Sequence, residues 1–259
     1  MSLQLVHDAL GLCSGFLVGF SLGLVGGGGS ILAVPLMIYV VGVPSAHVAI
    51  GTSAVAVAVN AAANLVSHAR MKTVKWRCAF VFAAAGVVGA LGGSSLSKMV
   101  DGRKLLVLFA VLMLVIAAVM FVRRAQTGDA DVHLSRENLP RLLLAGLATG
   151  ALSGFFGIGG GFLIVPSLMF AAAMPIINAI GSSLVAVTTF GATAGLNYAA
   201  SGLVDWRLAA LFIAGGIVGG LAGGGLAGLL GGKRGLLNAV FAGIICLVAI
   251  YMLVRSIAS

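Results

Sequence analysis

Long apolar stretches without charged residues are the feature that most limits how this chain can fold. They form two sets of five, near residues 9–25, 31–43, 46–66, 78–97 and 105–122, and near 142–156, 162–174, 176–200, 208–230 and 235–254. Several approach the roughly 20 apolar residues that cross a bilayer core as a helix. Lipid permits only helices or closed barrels, and these runs lack the two-residue alternation of barrel strands. The sequence therefore predicts an all-α polytopic membrane protein.

Charged residues are scarce and lie at the edges of the apolar runs. They make up 8% of the 259 residues, against roughly 25% in soluble domains. The net charge of +9 comes from Lys and Arg in short loops, where anionic headgroups attract them. We therefore expect membrane lipids, and no nucleic acid, as partners, and a multi-pass position in the inner (plasma) membrane. Cys13, Cys78 and Cys246 are isolated in apolar segments, so we expect no metal and no cofactor.

The two sets of runs also resemble each other in sequence. The stretch GLVGGGGSILAVPLM, from Gly23 to Met37, matches GFFGIGGGFLIVPSLM, from Gly154 to Met169. At a separation of 131 residues, Pro35 falls on Pro166. Agreement of this kind over whole halves indicates internal duplication. We predict a first transmembrane repeat at 1–122, a polar linker at 123–141 and a second transmembrane repeat at 142–259.

Each repeat is predicted to hold four to five helical segments, one of them a broken or re-entrant Gly-rich helix. Five crossings per half would invert the second repeat, whereas a broken helix that counts as one crossing would leave the halves parallel. The charges of the loops do not decide between the two. An inverted repeat is our preferred interpretation, since transporters with broken helices often have one.

The Gly-rich breaks are the strongest candidates for a binding site. Equivalent short, Gly-interrupted segments in two halves are the best sequence indication of a transporter site. A helix that starts after such a break has free N–H groups and a positive dipole end, which favour an anion. Glycines also serve close helix packing, but a duplicated cluster followed by proline favours a site. The candidate residues are Gly26, Gly27, Gly28, Gly29 and Ser30, with Gly157, Gly159, Gly160 and Gly161.

A second layer of candidates carries hydroxyl and amide groups. Gly51-Thr52-Ser53 matches Gly181-Ser182-Ser183 after a one-residue gap, and neutral donors of this kind suit an oxyanion. Any single Ser or Thr can instead bond the carbonyl one turn back, so a structural role stays open for each. The candidates in this layer are Thr52, Ser53, Asn60, Ser182, Ser183 and Thr188.

Acidic residues stay out of the middle of every apolar run. Proton-coupled carriers often place Asp, Glu or His there, so a carboxylate relay is not expected. His47 is the one buried proton carrier that the sequence offers, although a capping or interfacial role suits its place near a helix start.

The duplicated break, the Pro-containing short helix and the Gly-Thr-Ser helix together resemble the sulfite exporter TauE/SafE family of membrane transporters. The resemblance covers the chain from about Leu5 to Arg255 and lies in GLVGGGGSILAVPLM, IGTSAVAV, GFFGIGGGFLIVP and IGSSLVAV. It implies a transporter for sulfite, sulfoacetate or another small organosulfur or organic anion.

The function predicted from these observations is a secondary transporter that exports a small anion. An anion channel is the nearest alternative. An intramembrane enzyme is a more distant one, because no nucleophile–base pair or metal constellation is apparent. The sequence leaves the oligomeric state open, and a homodimer is among the arrangements it allows.

Overall fold

A computed structural model describes residues 3–122, 135, 137–229, 243 and 245–254. Every regular element in this part is helical, which confirms the all-α class. The elements are α1 (Leu3–Val25), a 3₁₀ helix (Gly26–Leu32), α2 (Ala33–Pro35), a π-helical segment (Leu36–Val41), α3 (Ala46–Arg70), α4 (Trp76–Ser97), α5 (Gly102–Val122), α6 (Leu139–Phe156), α7 (Gly161–Ala172), α8 (Ile176–Ala199) and α9 (Trp206–Leu229). A short apolar helix, α10, covers Ile245–Val254.

Six helices in the described part are long and apolar enough to cross a membrane. They lie within α1, α3, α4, α6, α8 and α9, and the chain is therefore a multi-pass membrane protein. Shorter apolar helices cover Gly29–Val41, Gly161–Ala172 and Ile245–Val254. At about 1.5 Å per residue, the twelve residues of α7 reach about 18 Å, well short of a hydrocarbon core of about 30 Å.

Glycines on α1 bring this helix against α9. A Cβ atom on Gly15 would overlap Phe212, one on Gly19 would overlap Gly216, and one on Gly23 would overlap Gly220. Small residues permit this close approach of two backbones inside a membrane. Since the residue numbers rise together along both helices, α1 and α9 run parallel.

The α4–α6 interface has the same construction. Gly146 lies against Phe82, Gly150 against Gly86, and Gly154 against Ala90. Each of these pairs corresponds to one α1–α9 pair when residues 131 apart in the first helix and 130 apart in the second are matched. The duplication stays our interpretation of the sequence, and this correspondence supports it.

Helices α3 and α8 cross in opposite directions at the centre of the bundle. Gly51 lies against Tyr198, whereas Gly195, earlier on α8, lies against Val55, later on α3. Along α9, Gly216 and Gly220 lie against Asn60 and Asn64, so α9 runs parallel to α3.

The same reasoning orients the rest of the bundle. On α4, Gly86 meets Phe190 and Ser97 accepts a hydrogen bond from the Tyr198 hydroxyl at 2.8 Å, so α4 runs parallel to α8. Helices α1, α3 and α9 therefore point one way, and α4, α6 and α8 the other, which is the arrangement that an inverted repeat requires. We call the end where α4 begins the Trp76 end, and the end where α9 begins the Trp206 end.

The chain reverses within the Gly-rich segment after α1. Gly29 lies beside Ser21 and Leu22 of α1, and Gly42 lies 3.8 Å from the His7 ring near the start of that helix. The segment between them runs back along α1 to the Trp206 end, where the Ser45 hydroxyl caps α3 by accepting the Val48 N–H at 3.4 Å.

The predicted division into repeats and linker stays a prediction. Most of the linker, 123–134 and 136, lies outside the described residues, and α6 begins at Leu139, inside the predicted linker. Residues 230–242 and 244, in the last predicted runs, also lie outside the described part.

Candidate functional site

The break between α6 and α7 is formed by residues 157–160. Gly157, Gly159 and Gly160 have φ of +64°, +65° and +67°, in the left-handed region that other residues enter only at a cost of about 1–2 kcal/mol. The repeated glycines therefore let the chain leave α6 at Phe156 and start α7 at Gly161 within four residues.

Gly159 fixes the depth of this break in the bundle. A Cβ atom there would lie 2.8 Å from a methyl group of Val57 and 2.9 Å from one of Val187. Val57 lies near the middle of α3, whose bounds are Ala46 and Arg70, and Val187 near the middle of α8, whose bounds are Ile176 and Ala199. The break therefore lies at the crossing of the two central helices, midway between the ends of the bundle.

Backbone donors are left without acceptors at this break. The first hydrogen bonds of α7 run from the N–H groups of Leu163 and Ile164 to the Gly160 carbonyl, at 2.8 and 3.0 Å. Within the described part of the chain, no backbone acceptor pairs with the N–H groups of residues 158–162, and all five residues are buried. Buried N–H groups require a partner, and with about half a positive charge at a helix N-terminus that partner is best an anion.

The Gly-rich segment of the first half has a different local structure. Gly26–Leu32 continues α1 as a 3₁₀ helix, whose hydrogen bonds span three residues. It packs against α7 and α8, and both Gly29 and Ser30 are buried. The two Gly-rich segments that the sequence singled out therefore lie next to each other.

The predicted donors Ser53 and Ser183 are both fully buried on the central helices. The Ser53 hydroxyl lies 2.9 Å from the Ile50 carbonyl oxygen and 3.3 Å from that of Gly157, so it reaches the break. The Ser183 hydroxyl donates to the Ile180 carbonyl at 2.7 Å. For either hydroxyl to bind an anion, it would have to turn away from a backbone carbonyl.

Thr52 and Ser182 do other work. The Thr52 hydroxyl accepts the N–H of Asp205 at 3.0 Å, and the Ser182 hydroxyl accepts that of Lys75 at 2.9 Å. These donors immediately precede α9 and α4. Both hydroxyls therefore lie toward the ends of the bundle, and the structure does not bring them to the break.

The remaining two candidates lie on the central helices. Asn60 is fully buried against Gly216 of α9, and neither atom of its amide has a hydrogen-bond partner in the described part of the protein. Thr188 donates to the Leu184 carbonyl at 2.7 Å within α8, as the structural interpretation of such residues expects.

One polar residue at the break was missed by the sequence analysis. Ser153 of α6 is 0% exposed, and its hydroxyl has no partner among the described residues. Comparison of the two halves passes over it, because Leu22 occupies the equivalent position 131 residues earlier.

Charged groups in the described part lie near the ends of the helices. Asp8 pairs with Arg207, and the Asp101 carboxylate accepts the Arg103 N–H at 3.0 Å, which caps α5. No group of three His, Cys, Asp or Glu side chains that could hold a metal ion occurs among the residues described. An anion at the break would therefore be held by backbone and neutral side-chain donors.

His47 lies near the Trp206 end, beside a surface cavity of about 490 Å³. The cavity is lined by the starts of α3 and α5 and by Tyr39, with Asp101 and Arg103 among its polar groups. The Nδ1 atom of His47 is buried without a partner in the described part. His47 therefore lies about 15 Å along α3 from Val57, at 1.5 Å per residue.

Known proteins of one family match this chain over most of its length. The family model for the sulfite exporter TauE/SafE matches residues 11–252. The chain belongs to the TauE/SafE family. It is accordingly a membrane transporter.

Relatives of this TauE/SafE protein carry names of the same kind. A probable membrane transporter protein from Xylella fastidiosa is 52% identical over 100% of this chain and 99% of its own length. One from Methanocaldococcus jannaschii is 31% identical over 66% of this chain and 64% of its own, and one from Bacillus subtilis is 26% identical over 79% and 84%. No solved structure matches the chain. The internal geometry of this TauE/SafE transporter is therefore the basis for locating its site.

Proposed function

We propose that the protein is a secondary transporter that exports a small anion, sulfite or an organosulfonate or organic acid, and binds it where the break at 157–161 meets the segment Gly26–Ser30. The observation that carries the proposal is the set of buried backbone N–H groups without backbone acceptors at the start of α7. They lie at the middle of the bundle, where an unpaired donor is costly because lipid supplies no acceptor. A bound oxyanion would satisfy them.

The absence of a buried cation at the described centre has a consequence for affinity. Neutral donors hold an anion less strongly than an Arg–carboxylate type of pair, and a carrier must release its substrate on the other side. We therefore expect weak, reversible binding of one anion in each cycle.

We place the protein in the plasma membrane with the Trp76 end in the cytoplasm. The loop at this end carries Arg70, Lys72, Lys75 and Arg77 within eight residues, and short cytoplasmic loops are rich in Lys and Arg. In a variant without its native cysteines, a cysteine at Lys72 should react with an impermeant thiol reagent only after the cells are opened. A cysteine at Gly202, which is exposed at the other end, should react in intact cells. The reverse pattern would invert this orientation.

The experiment that tests substrate class is a thermal-stability screen of the purified protein. The compounds are sulfite, sulfate, thiosulfate, taurine, sulfoacetate and small carboxylates, each compared with chloride at equal ionic strength. A ligand that binds only the native state at 100 times its Kd adds about 2.7 kcal/mol to the stability. We expect a sulfur oxyanion or organic acid to raise the melting temperature and chloride to leave it unchanged. A screen in which no compound exceeds chloride would contradict the proposed substrate class.

Flux measurements separate a carrier from the alternatives. Proteoliposomes that hold the stabilising anion should show saturable efflux, with the anion chemically unchanged. Single-channel currents would favour an anion channel, and conversion of the anion would favour an intramembrane enzyme.

A further inference from the structure

Ser153 is unusual among the hydroxyl side chains of the central helices. A serine or threonine in a helix normally donates to the carbonyl one turn back. Thr149, one turn earlier on α6, does so to Ala145 at 2.6 Å, and Ser53 does so to Ile50 at 2.9 Å. Ser153 is just as buried, at 0% exposure, yet its oxygen has no partner in the described part of the chain. A buried hydroxyl without a partner costs free energy, which indicates that another molecule supplies the partner.

The Ser153 side chain lies against the break. A Cβ atom on Gly160 would lie 2.7 Å from the Ser153 Cβ and 3.0 Å from its Oγ. Gly160 is the residue before Gly161, where α7 begins, and its φ of +67° belongs to the left-handed turn. The hydroxyl therefore lies beside the N–H groups that lack backbone acceptors. Two kinds of donor, backbone amides and one hydroxyl, meet at a single buried place.

We infer that Ser153 is a substrate-binding residue and that its hydroxyl donates a hydrogen bond to one oxygen of the anion whose other oxygen is held by the N–H groups of α7. This inference rests on the proposed function. It requires a ligand with at least two oxygens on one centre, as in a sulfite, a sulfonate or a carboxylate. A halide presents a single centre and cannot make both contacts.

The same contact makes the two halves of the site unequal. Residues 131 positions before Ser153 and Gly160 are Leu22 and Gly29, and Gly29 lies against the α1 backbone at Leu22. Leu22 is buried but has no hydroxyl to offer. The anion is thus bound nearer to the second break than to the first, off the axis that relates the halves.

The test compares Ser153→Ala with Ser14→Ala. Ser14 is the matched control, because it is 1% exposed and its hydroxyl also has no partner in the described part, but it lies on α1 in the turn that packs on Phe212. The affinity of sulfite and of each stabilising anion from the screen is measured for both variants and for the unaltered protein. Loss of a hydrogen bond to a charged group should weaken binding about tenfold or more in Ser153→Ala, while Ser14→Ala binds as the unaltered protein does.

Stability without ligand separates binding from a structural role. If Ser153 only supported the fold, Ser153→Ala would melt at a lower temperature without ligand. Because its hydroxyl is unpaired, we expect an unchanged or higher melting temperature, together with weaker binding. Equal affinity in the two alanine variants, or a lowered melting temperature in Ser153→Ala, overturns the inference while the proposed function stands. Failure of the unaltered protein to bind any anion of the screen overturns both.

Discussion

The backbone N–H of Asp205 donates to the Thr52 hydroxyl at 3.0 Å, across the interface between α3 and the start of α9. Lys75 and Ser182 form the equivalent bond at 2.9 Å between the start of α4 and α8. In both pairs a central helix fixes the residue before the tryptophan that opens an outer helix. These bonds tie the predicted halves together at opposite ends of the bundle.

Removal of either hydroxyl should lower stability more than binding. Thr52→Val or Ser182→Ala leaves a partly buried N–H without its acceptor, which costs about 1–3 kcal/mol. Thr52→Ser keeps the oxygen and should retain most of the stability. Thermal unfolding in detergent and the affinity for the stabilising anion measure the two effects. A variant that keeps its stability but loses affinity would instead place that hydroxyl in the binding site.

Gly159→Ala should abolish most transport. Its Cβ atom would enter the contact with Val57 and Val187 at a left-handed φ, and it would push α7 away from the central helices. Gly202 is the matched control, since its φ is +69° but nothing lies within 4 Å of a Cβ there. Both variants should carry the strain of about 1–2 kcal/mol. Proteoliposome flux should fall only in Gly159→Ala, and equal flux in the two variants would move the site away from the break.

Ser53→Ala and Ser183→Ala should each weaken anion binding. Loss of a donor to a charged group costs about 1.5–3 kcal/mol, and Ser53 already reaches the Gly157 carbonyl at 3.3 Å. Thr193→Val provides the control, because the Thr193 hydroxyl makes a similar intrahelical bond, to Thr189 at 2.7 Å, farther along α8. Unchanged affinity in both serine variants would remove these residues from the site.

Asn60 and Gly216 should be energetically coupled. A Cβ atom on Gly216 would lie 2.5 Å from Cγ of Asn60, so Gly216→Ala should destabilise the protein by about 1–3 kcal/mol through overpacking. The Asn60→Ala substitution removes the colliding amide and should restore part of that loss in the double variant. Gly224→Ala, on the same helix with nothing within 4 Å, should not destabilise. Additive effects of the two substitutions would show that the contact is relaxed without cost.

The break at Gly157 could be predicted from sequence, because clustered glycines before a short apolar run are typical of an interrupted membrane helix. The local conformations could not, since Gly26–Leu32 and residues 157–160 have similar composition but form a 3₁₀ helix and a left-handed turn. Thr52 and Ser53 are neighbours in sequence, yet on a helix they point about 100° apart, and only Ser53 faces the break. Ser153 has no hydroxyl counterpart in the other half, so the repeat gave no signal for it.

The orientation of the helices was also beyond the sequence. Basic residues occur at both ends, with Arg70 and Lys72 at one and Lys98 and Arg103 at the other. The contacts of glycines on neighbouring helices supply the directions instead, because each contact joins two known positions along the chain.

The membrane potential should be sufficient to drive export. No acidic side chain of the described part lies at the level of Gly159, so we expect anion transport without a titrating carboxylate in the middle of the membrane. With an inside-negative potential, each negative charge that moves outward gains about 2.3 kcal/mol per 100 mV. His47, at the Trp206 end, lies too far from Val57 to exchange a proton directly with an anion at the break. In proteoliposomes with an imposed potential and no pH gradient, we expect anion flux that His47→Ala retains. An unaltered protein that transports only under a proton gradient, with no transport by His47→Ala, would show that proton coupling through this histidine drives the cycle.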